Sequence, residues 1–353
     1  MREDTSVAAG QTIGLDLGDR FSQVCVLDEQ GEVIEQARVR TTSAALQQRF
    51  AQLGSTRVAL EVGTHSPWVS RLLAGFGHEV VVASGQGIPA VKRCRRKTDE
   101  SDAEALARLA RSDPRLLLPV RHRSASAQED LAVIRSRAVL VRTRTQLVNH
   151  VRGIAKAVGT MIRRASPASF QRQVLPQLPD ALRPALVPVL ACIEHLSTQI
   201  READRRVEYL IEQRHLEARR LQAVPGVGPI TALTYVLTLD DPRRFRSRDV
   251  GAYLGLVPRK QQSGGRDPEL RISKTGNVLL RTLLVQCAQH ILGPFGKDCD
   301  LRRWGLALAA RGGRTSKRRA IVAVARRLAV LLHALWISGT PYEPLRHAQA
   351  QAA

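Results

Sequence analysis

Four acidic residues stand where carboxylates could bind a metal ion. Asp16 and Glu61 each end a predicted strand, in GLD and ALE, and Asp99 and Asp102 lie three residues apart at the start of a predicted helix. Four carboxylates brought together would repel one another unless cations neutralise them. Hard oxygen ligands suit Mg²⁺, or alternatively Mn²⁺, and two such ions can clamp a phosphodiester. The acids therefore predict a divalent-metal site.

A dense basic run, RCRRK, directly precedes the last two acids. We predict that its cations hold the phosphates that the metal ions meet. The alternative is that Asp99 and Asp102 only stabilise the helix, through the interaction of their negative charges with the positive N-terminal end of the helix dipole. On the same helix, Ser101 and Glu104 are predicted to form a capping box. The predicted phosphate contacts of the basic run are Arg93, Arg95, Arg96 and Lys97.

A serine in the segment QQSGGRD could carry a different chemistry. Ser263 precedes Gly264 and Gly265, which make the backbone pliable and expose the hydroxyl. A serine that attacks DNA phosphate needs an open hydroxyl and cations that stabilise the developing charge. A plain glycine loop is the simpler interpretation, and composition alone favours it. Ser273 is the rival serine but lacks flanking glycines. The cations nearby in the sequence are Arg259, Lys260, Arg266, Arg271 and Lys274.

The composition indicates a nucleic-acid partner. Lys and Arg number 54 against 32 Asp and Glu, which gives a formal net charge of +22. A charge of that size normally needs a polyanion, either nucleic acid or an anionic membrane surface. The sequence contains no uninterrupted apolar run of about 18 residues, which disfavours a membrane span. Five scattered cysteines without a CxxC pair indicate neither a zinc site nor a disulfide framework. We expect a cytoplasmic protein that associates with the nucleoid when it is active and does not associate with a membrane.

The pattern of elements predicts three regions and a tail. In residues 11–123, three predicted strands, TIGLDLGD, SQVCVLDE and EVIEQARVRT, precede helices that alternate with two more, RVALEV and HEVVVAS. This order is typical of a ribonuclease-H-like α/β domain. In residues 124–220, apolar residues recur at coiled-coil spacing in two helices. These helices form either a hairpin within one chain or, as we favour, a contact between chains. Residues 221–340 are predicted to be mostly helical, and residues 341–353 to be unstructured.

The third region begins with a glycine turn, VPGVGPITA, between two helical segments. It resembles a helix-hairpin-helix element, in which backbone N–H groups grip a phosphate. Gly226 and Gly228 are therefore predicted to contact nucleic acid, although glycine-rich connections between helices are common.

Together these motifs resemble a known family. The chain looks like a DEDD transposase of the bridge-RNA-guided insertion sequences, the one-hundred-ten insertion-sequence family, to which the pilin-inversion recombinases are related. The resemblance covers nearly the whole chain, through IGLDLGD, ALEVGTHSPW, KTDESDAEALARLA, VPGVGPITA, DPRRFRSRDVGAYLGLVP and SGGRDPELRISKTGNVLLR.

This resemblance implies a RuvC-like (ribonuclease-H-like) N-terminal domain, a coiled-coil middle and a C-terminal transposase domain. It implies that Ser263 is the nucleophile; the family commonly has SSGG, and here Gln262 takes the first position. It also implies a covalent serine–DNA link, a structured non-coding RNA that specifies target and donor DNA, and dimers that pair into tetramers with active sites shared between subunits. The metal-binding tetrad that it implies is Asp16, Glu61, Asp99 and Asp102.

Three functions are compatible with these residues. The first, which we favour, is a transposase that cuts and rejoins double-stranded DNA through a phosphoserine intermediate. Such transesterification needs no ATP, and the sequence has no nucleotide-binding P-loop. The second is a metal-dependent nuclease that resolves DNA junctions with water and does not need Ser263. The third is a non-catalytic nucleic-acid-binding protein, which would tolerate the loss of Asp16 and Glu61.

The net charge predicts a steep salt dependence of nucleic-acid binding. Lys and Arg that neutralise phosphates release counterions, so we expect the Kd for DNA to rise by about a hundredfold or more between roughly 50 and 200 mM salt. Fluorescence anisotropy with labelled DNA measures this. A nearly flat salt dependence would show that the basic surface serves another partner.

Overall fold

The chain forms two compact units, Met1–Arg123 and Ser124–Ala353. The computed structural model describes residues 10–85, 99–263, 265–268, 270–313 and 315–346. The first unit is mixed α/β, and the second is mostly helical.

A five-stranded mixed sheet forms the centre of the first unit. Its strand order is β3-β2-β1-β4-β5. Neighbours among the first three strands pair antiparallel, β4 lies parallel to β1, and β5 lies parallel to β4. Each strand predicted from the sequence is present. The strands are β1 Thr12–Leu17, β2 Phe21–Leu27, β3 Val33–Arg40, β4 Arg57–Glu61 and β5 Glu79–Ala83.

Helices cover both faces of the sheet because side chains alternate along each strand. On one face, Leu15 and Leu60 pack in a cluster with residues of two short helices. On the other face, Ala59 packs with Leu106 and Ala110 of a longer helix. The short helices are α1 Ser43–Phe50 and α2 Ser66–Gly75, and the longer helix is α3 Asp99–Ser112.

Helix α3 lies directly on the backbone of β1. A Cβ atom at Gly14 would lie 1.8 Å from the carbonyl oxygen of Ala103 and 2.7 Å from the nitrogen of Ala107. Only glycine leaves room for so close an approach. The small side chains of Ala103 and Ala107, which are buried, complete this contact from the helix side.

The predicted capping box at the start of α3 is wrong. Ser101 lies inside the helix, which already includes Asp99, so it is not the residue that caps the helix. Glu104 pairs instead with Arg108 one turn further on, at 2.7 Å. The helix therefore extends further toward its N-terminus than the capping signal indicated.

Two long helices, α4 (Ala125–Ala157) and α6 (Arg183–Gln213), form a hairpin in the second unit. The beginning of α4 packs against the end of α6, where Leu131 and Val207 are buried in one cluster. The end of α4 packs against the beginning of α6, where Val151 and Ile193 are buried in another. The apolar stripes are therefore used within the chain, as the hairpin alternative predicts.

Polar contacts interrupt the seam of this hairpin near its middle. Arg137 of α4 pairs with Asp204 of α6 at 2.5 Å, and Arg144 donates to the hydroxyl of Ser197 at 3.2 Å. Burial lowers the pKa of the Arg144 guanidinium. The two apolar clusters are thus separate, and the seam is not a continuous coiled-coil core.

Helix α8 (Pro229–Leu239) belongs to the buried core of the second unit, where its Tyr235 is fully buried and donates its hydroxyl to the carbonyl of Ala329 at 2.6 Å. One described helix, α12 (Ser316–Ser338), is long and apolar enough to cross a membrane by length and composition. Its Val324 and Leu328 are buried in this core. The remaining helices are α5 Phe170–Val174, α7 Leu216–Leu221, α8 Pro229–Leu239, α9 Ser247–Tyr253, α10 Val278–Leu292, α11 Asp300–Ala309 and α12 Ser316–Ser338.

The stretch after α12, expected to be unstructured from residue 341, makes contacts with the helical core. Tyr342 packs against the core cluster, and the backbone N–H of Asp300 donates to the carbonyl of Pro344 at 2.8 Å. Residues 347–353 lie outside the described residues.

The hairpin seam predicts a strong position dependence of charge substitutions. Val207→Asp should lower the free energy of unfolding by at least about 2 kcal/mol, because apolar burial is lost and a carboxylate is desolvated. Thermal and urea denaturation measure this. Val139→Asp is the matched control on α4, because Val139 is 53% exposed; its effect should stay within about 0.5 kcal/mol. Equal effects of the two substitutions would refute the burial of the seam.

Candidate active site

Strand register places Asp16 and Glu61 side by side. The last register pair of β1 and β4 joins Leu15 to Leu60, and the two acids are the next residues of these parallel strands. Asp16 lies two residues beyond Gly14, which faces α3, so strand alternation turns it toward the same face. Glu61 follows the same rule from Ala59. Both acids therefore stand at the carboxyl end of the sheet, on the side of α3.

Helix α3 brings its first turn to this same end of the sheet. Arg57, at the start of β4, donates from Nη1 to the carbonyl of Ala110 near the end of α3, at 3.2 Å. The helix therefore runs against the direction of β1 and β4, and its N-terminal turn lies toward their carboxyl ends. That turn carries Asp99 and Asp102. The three elements predicted to supply carboxylates thus converge on one edge of the sheet.

The acids share an edge but do not form a closed metal site. Asp16 and Asp102 are half-buried, whereas Glu61 and Asp99 are exposed. Within the ranges that the structure describes, no three His, Cys, Asp or Glu side chains lie close enough together to hold a metal ion. The chemistry of the donors nevertheless fits a hard divalent cation, because all four are carboxylates.

The loop that follows Glu61 is held by two residues that the sequence analysis missed. The hydroxyl of Ser66 accepts from the N–H of Gly63 and donates to its carbonyl, each at 2.9 Å. The same hydroxyl lies 2.9 Å from Nε2 of His122. Burial, with the positive charges of Arg71 and Arg123, lowers the pKa of His122 and favours its neutral form. No local motif signals this contact, because the two residues are 56 positions apart.

Residues 255–263, 265–268 and 270–275 belong to an irregular antiparallel hairpin that we call the serine arm. Its two sides are joined by the N–H of Lys274 to the carbonyl of Gly255 at 3.1 Å, and by the N–H of Ser273 to the carbonyl of Val257 at 2.8 Å. Further out, Pro258 and Ile272 form a bridge. The arm connects α9 to α10.

Ser263 lies near the tip of this arm, and it is exposed. Its N–H donates to the carbonyl of Arg266 at 3.3 Å, and its carbonyl accepts from the N–H of Arg266 at 3.0 Å. Gly265, with φ of 79°, adopts the left-handed conformation that this tight turn needs. Gly264 lies outside the described residues. The rival Ser273 is half-buried lower on the arm, and its hydroxyl is 3.0 Å from that of Thr275.

The cations predicted around Ser263 belong to the serine arm and are exposed. Arg259 donates its N–H to the carbonyl of Arg271 at 3.0 Å, so these two arginines lie opposite each other across the strands. Like charges in such positions repel, and a phosphate between them would relieve the repulsion. Lys260 pairs with Asp267 at 2.8 Å. The arm also carries Arg266 and Lys274.

The phosphate contacts predicted in the basic run before α3 lie outside the described residues; they are Arg93, Arg95, Arg96 and Lys97.

The glycine turn between α7 and α8 packs against α10. A Cβ at Gly226, whose φ is +84°, would lie 3.1 Å from Ile291 and 3.2 Å from His290. The requirement for glycine there follows from backbone conformation and packing. Gly228 is exposed and forms the N-cap of α8, whose first residue is Pro229. The predicted phosphate contact of these glycines stays a prediction.

Carboxylates at the edge of a mixed sheet, and an exposed serine among exposed cations, are features of enzymes that act on the phosphates of nucleic acids. Comparison with known families identifies which enzymes of this class the chain is similar to. The model of a DEDD-type IS110 transposase matches residues 13–159, and that of the transposase IS116/IS110/IS902 family matches residues 218–298. The first match contains the four acids, and the second contains the glycine turn and the serine arm.

Relatives of this type resemble the chain over most of its length. The transposase for insertion sequence element IS1111A of Coxiella burnetii is 32% identical over 343 residues, which cover 92% of this chain and 88% of the relative. The transposase for insertion sequence element IS1328 of Yersinia enterocolitica is 32% identical over 283 residues, which cover 78% of this chain and 82% of the relative. The chain belongs to the IS110 family of insertion-sequence transposases, which are enzymes that cut and rejoin DNA.

The position of Asp16 beside other carboxylates at the carboxyl end of the sheet predicts that this residue is needed for DNA cleavage and not for DNA binding. Asp16→Asn should lower the cleavage rate in Mg²⁺ by at least about a hundredfold, because even partners of metal ligands matter at that scale. It should also remove any rise in melting temperature that Mg²⁺ causes by binding the folded state.

The matched control is Glu100→Gln, which removes an exposed acid from the same turn of α3. Cleavage and the Mg²⁺ response should then stay near those of the unmodified protein. Full cleavage activity of Asp16→Asn would remove Asp16 from the site.

Proposed function

We propose that the protein is a transposase that cuts and rejoins double-stranded DNA through a covalent bond between Ser263 and a DNA phosphate. The observation that carries this proposal is the placement of Ser263. Ser263 is exposed near the tip of the serine arm, and the cations of the arm are also exposed. Ser273, in contrast, is half-buried and hydrogen-bonded to Thr275. An accessible hydroxyl amid positive charge is what attack on a phosphodiester requires.

In the proposed reaction, Oγ of Ser263 attacks the phosphorus of a DNA phosphodiester. As Oγ gives up its proton, a phosphoserine ester forms, the ester bond between phosphorus and one deoxyribose oxygen breaks, and the released oxygen takes up a proton. Attack by the hydroxyl of another DNA end then reverses the step: the serine oxygen leaves and recovers a proton. The number of phosphodiester bonds is conserved, so no nucleotide hydrolysis is needed.

The four acids would hold Mg²⁺ or Mn²⁺ at the edge of the sheet, and we propose that they act on the same phosphodiester as Ser263. Such an ion would neutralise charge on phosphate oxygens and favour an ionised nucleophile. The exposed side chains of Arg266, Arg271 and Lys274 would stabilise charge on the non-bridging oxygens. The residues proposed to hold the ion are Asp16, Glu61, Asp99 and Asp102.

The proposal includes a ribonuclease-H-like assignment for the first unit. Three antiparallel strands followed by two parallel ones, with helices on both faces, support it. We also propose that the turn at Gly226 and Gly228 contacts a phosphate in the manner of a helix-hairpin-helix. The exposure of Gly228 at the N-terminus of α8 supports that contact.

We further propose that a structured RNA directs the enzyme to target and donor DNA, at the nucleoid in the cytoplasm. The support is the resemblance of the motifs to RNA-guided transposases, together with a net charge of +22 that suits two polyanionic partners.

Assembly into dimers that pair as tetramers is proposed as well. The apolar stripes of the helical hairpin are used within the chain, so the contacts between chains must use other surfaces. Exposed apolar side chains on α6 support this: Tyr209 is 49% exposed and Val187 is 42% exposed.

The role of Ser263 is tested by its replacement. Ser263→Ala should bind labelled DNA and RNA with unchanged affinity and form no covalent protein–DNA adduct on a denaturing gel. Ser273→Ala is the matched control, and it should form the adduct at the normal rate. Continued DNA cleavage by Ser263→Ala, without an adduct, would contradict the proposal and favour the metal-dependent nuclease that uses water.

A further inference from the structure

Arg281 is the one arginine of the described ranges that is buried, with 9% of its surface exposed. It lies in the first turn of α10, immediately after the serine arm. Burial lowers the pKa of its guanidinium, but an arginine remains charged at neutral pH. A buried charge needs partners that compensate for its lost hydration. Its burial also prevents direct contact with a nucleic-acid phosphate.

The partners of Arg281 are two backbone carbonyls at the base of the serine arm. Its Nη1 atom donates to the carbonyl of Thr275 at 2.7 Å and to the carbonyl of Leu254 at 3.1 Å. Leu254 immediately precedes the arm, and Thr275 ends it. One nitrogen atom therefore connects the segment that enters the arm to the segment that leaves it.

The segment that enters the arm and the segment that leaves it cross at this base with almost no space between their backbones. A Cβ at Gly255 would lie 2.3 Å from the carbonyl oxygen of Thr275, and a Cβ at Gly276 would lie 2.1 Å from that of Tyr253. Both glycines have positive φ angles, 68° and 75°. The carbonyl of Thr275, which accepts the shorter bond from Arg281, thus also lies close against the backbone of Gly255.

We propose that Arg281 is a positioning residue that closes the base of the serine arm and thereby sets where Ser263 is presented. The inference rests on the proposed role of Ser263 as the nucleophile. The eight residue steps from Gly255 to Ser263 can span at most about 26 Å at 3.3 Å per step, so a small change at the base is amplified at the tip. A misplacement of about 1 Å at a reacting group can cost about a hundredfold in rate.

Replacement of Arg281 by methionine and by lysine provides the test. Arg281→Met keeps the length and loses the donors, whereas the ammonium of Arg281→Lys has three donors and can serve both carbonyls. In Arg281→Met, amide hydrogen exchange at Arg259, Ser273 and Lys274 should rise by about tenfold or more, because these N–H groups close the arm. Exchange in α8 should not change, and Arg281→Lys should stay near the unmodified protein.

The functional measurement uses labelled duplex DNA from an end of the insertion sequence with RNA transcribed from the same element. Arg281→Met should form the protein–DNA adduct about a hundredfold more slowly, while its Kd for DNA changes by less than about twofold. Arg281→Lys should recover most of the rate.

A second variant tests the same base without removal of the guanidinium. Gly255→Ala should push the carbonyl of Thr275 away from Arg281 and give the same faster exchange, confined to the arm. It also keeps the test open if Arg281→Met does not fold.

Three results would overturn the inference: unchanged exchange in the arm, faster exchange throughout the helical unit, or a normal adduct rate in a protein whose arm exchanges faster. The second result would make Arg281 a residue of the fold as a whole. An adduct formed by Ser263→Ala would refute the proposed function instead, and the exchange measurement is independent of that outcome.

Discussion

The candidate metal site depends on one contact, the approach of α3 to β1 at Gly14. With no side chain between them, the carbonyl of Ala103 reaches the strand backbone and sets both the distance and the register of the helix. Asp102 directly precedes Ala103, and Asp16 lies two residues beyond Gly14. One backbone contact therefore determines how the first turn of α3 meets the end of β1, and pairing of β1 with β4 adds Glu61.

The second unit uses the same physical means for a different purpose. At Gly255 and Gly276 the absence of side chains allows two segments of the chain to cross at the base of the serine arm. Arg281 donates hydrogen bonds to a carbonyl of each segment. At the base of the arm Gly255 and Leu256 are buried, while Ser263 and the cations of the arm are exposed. An arm of this kind combines a fixed origin with an accessible tip, which suits a nucleophile that must reach a large polyanion.

The sequence predicted the sheet well because its physical signal is local. Strands rich in β-formers and bounded by turns identified all five strands, and the positions of Asp16 and Glu61 at strand ends followed from them. The capping box was wrong because the signal at Ser101 was overridden by a helix that begins earlier. The 3-4 spacing of the long helices identified their buried faces, but that spacing is the same whether the partner helix belongs to the same chain or to another.

The residues that the sequence did not reveal act through long-range contacts or against the usual pattern. Ser66 and His122 meet across 56 positions, and Arg281 occupies a position on the otherwise apolar buried face of α10. The two sides of the serine arm are mostly exposed and contain Pro258, so they lack the alternation of buried and exposed residues that identifies strands. Such features become visible only when the fold brings the partners together.

The central claim is that Ser263 forms the covalent bond to DNA, and identification of the modified residue tests it most directly. The unmodified protein is incubated with Mg²⁺, the element's RNA and its DNA ends, the adduct is isolated under denaturing conditions, and the nuclease-trimmed peptides are sequenced by mass spectrometry. The account predicts a nucleotide on the peptide that contains Ser263, attached at that serine. A nucleotide on Ser273 or on a tyrosine would contradict it.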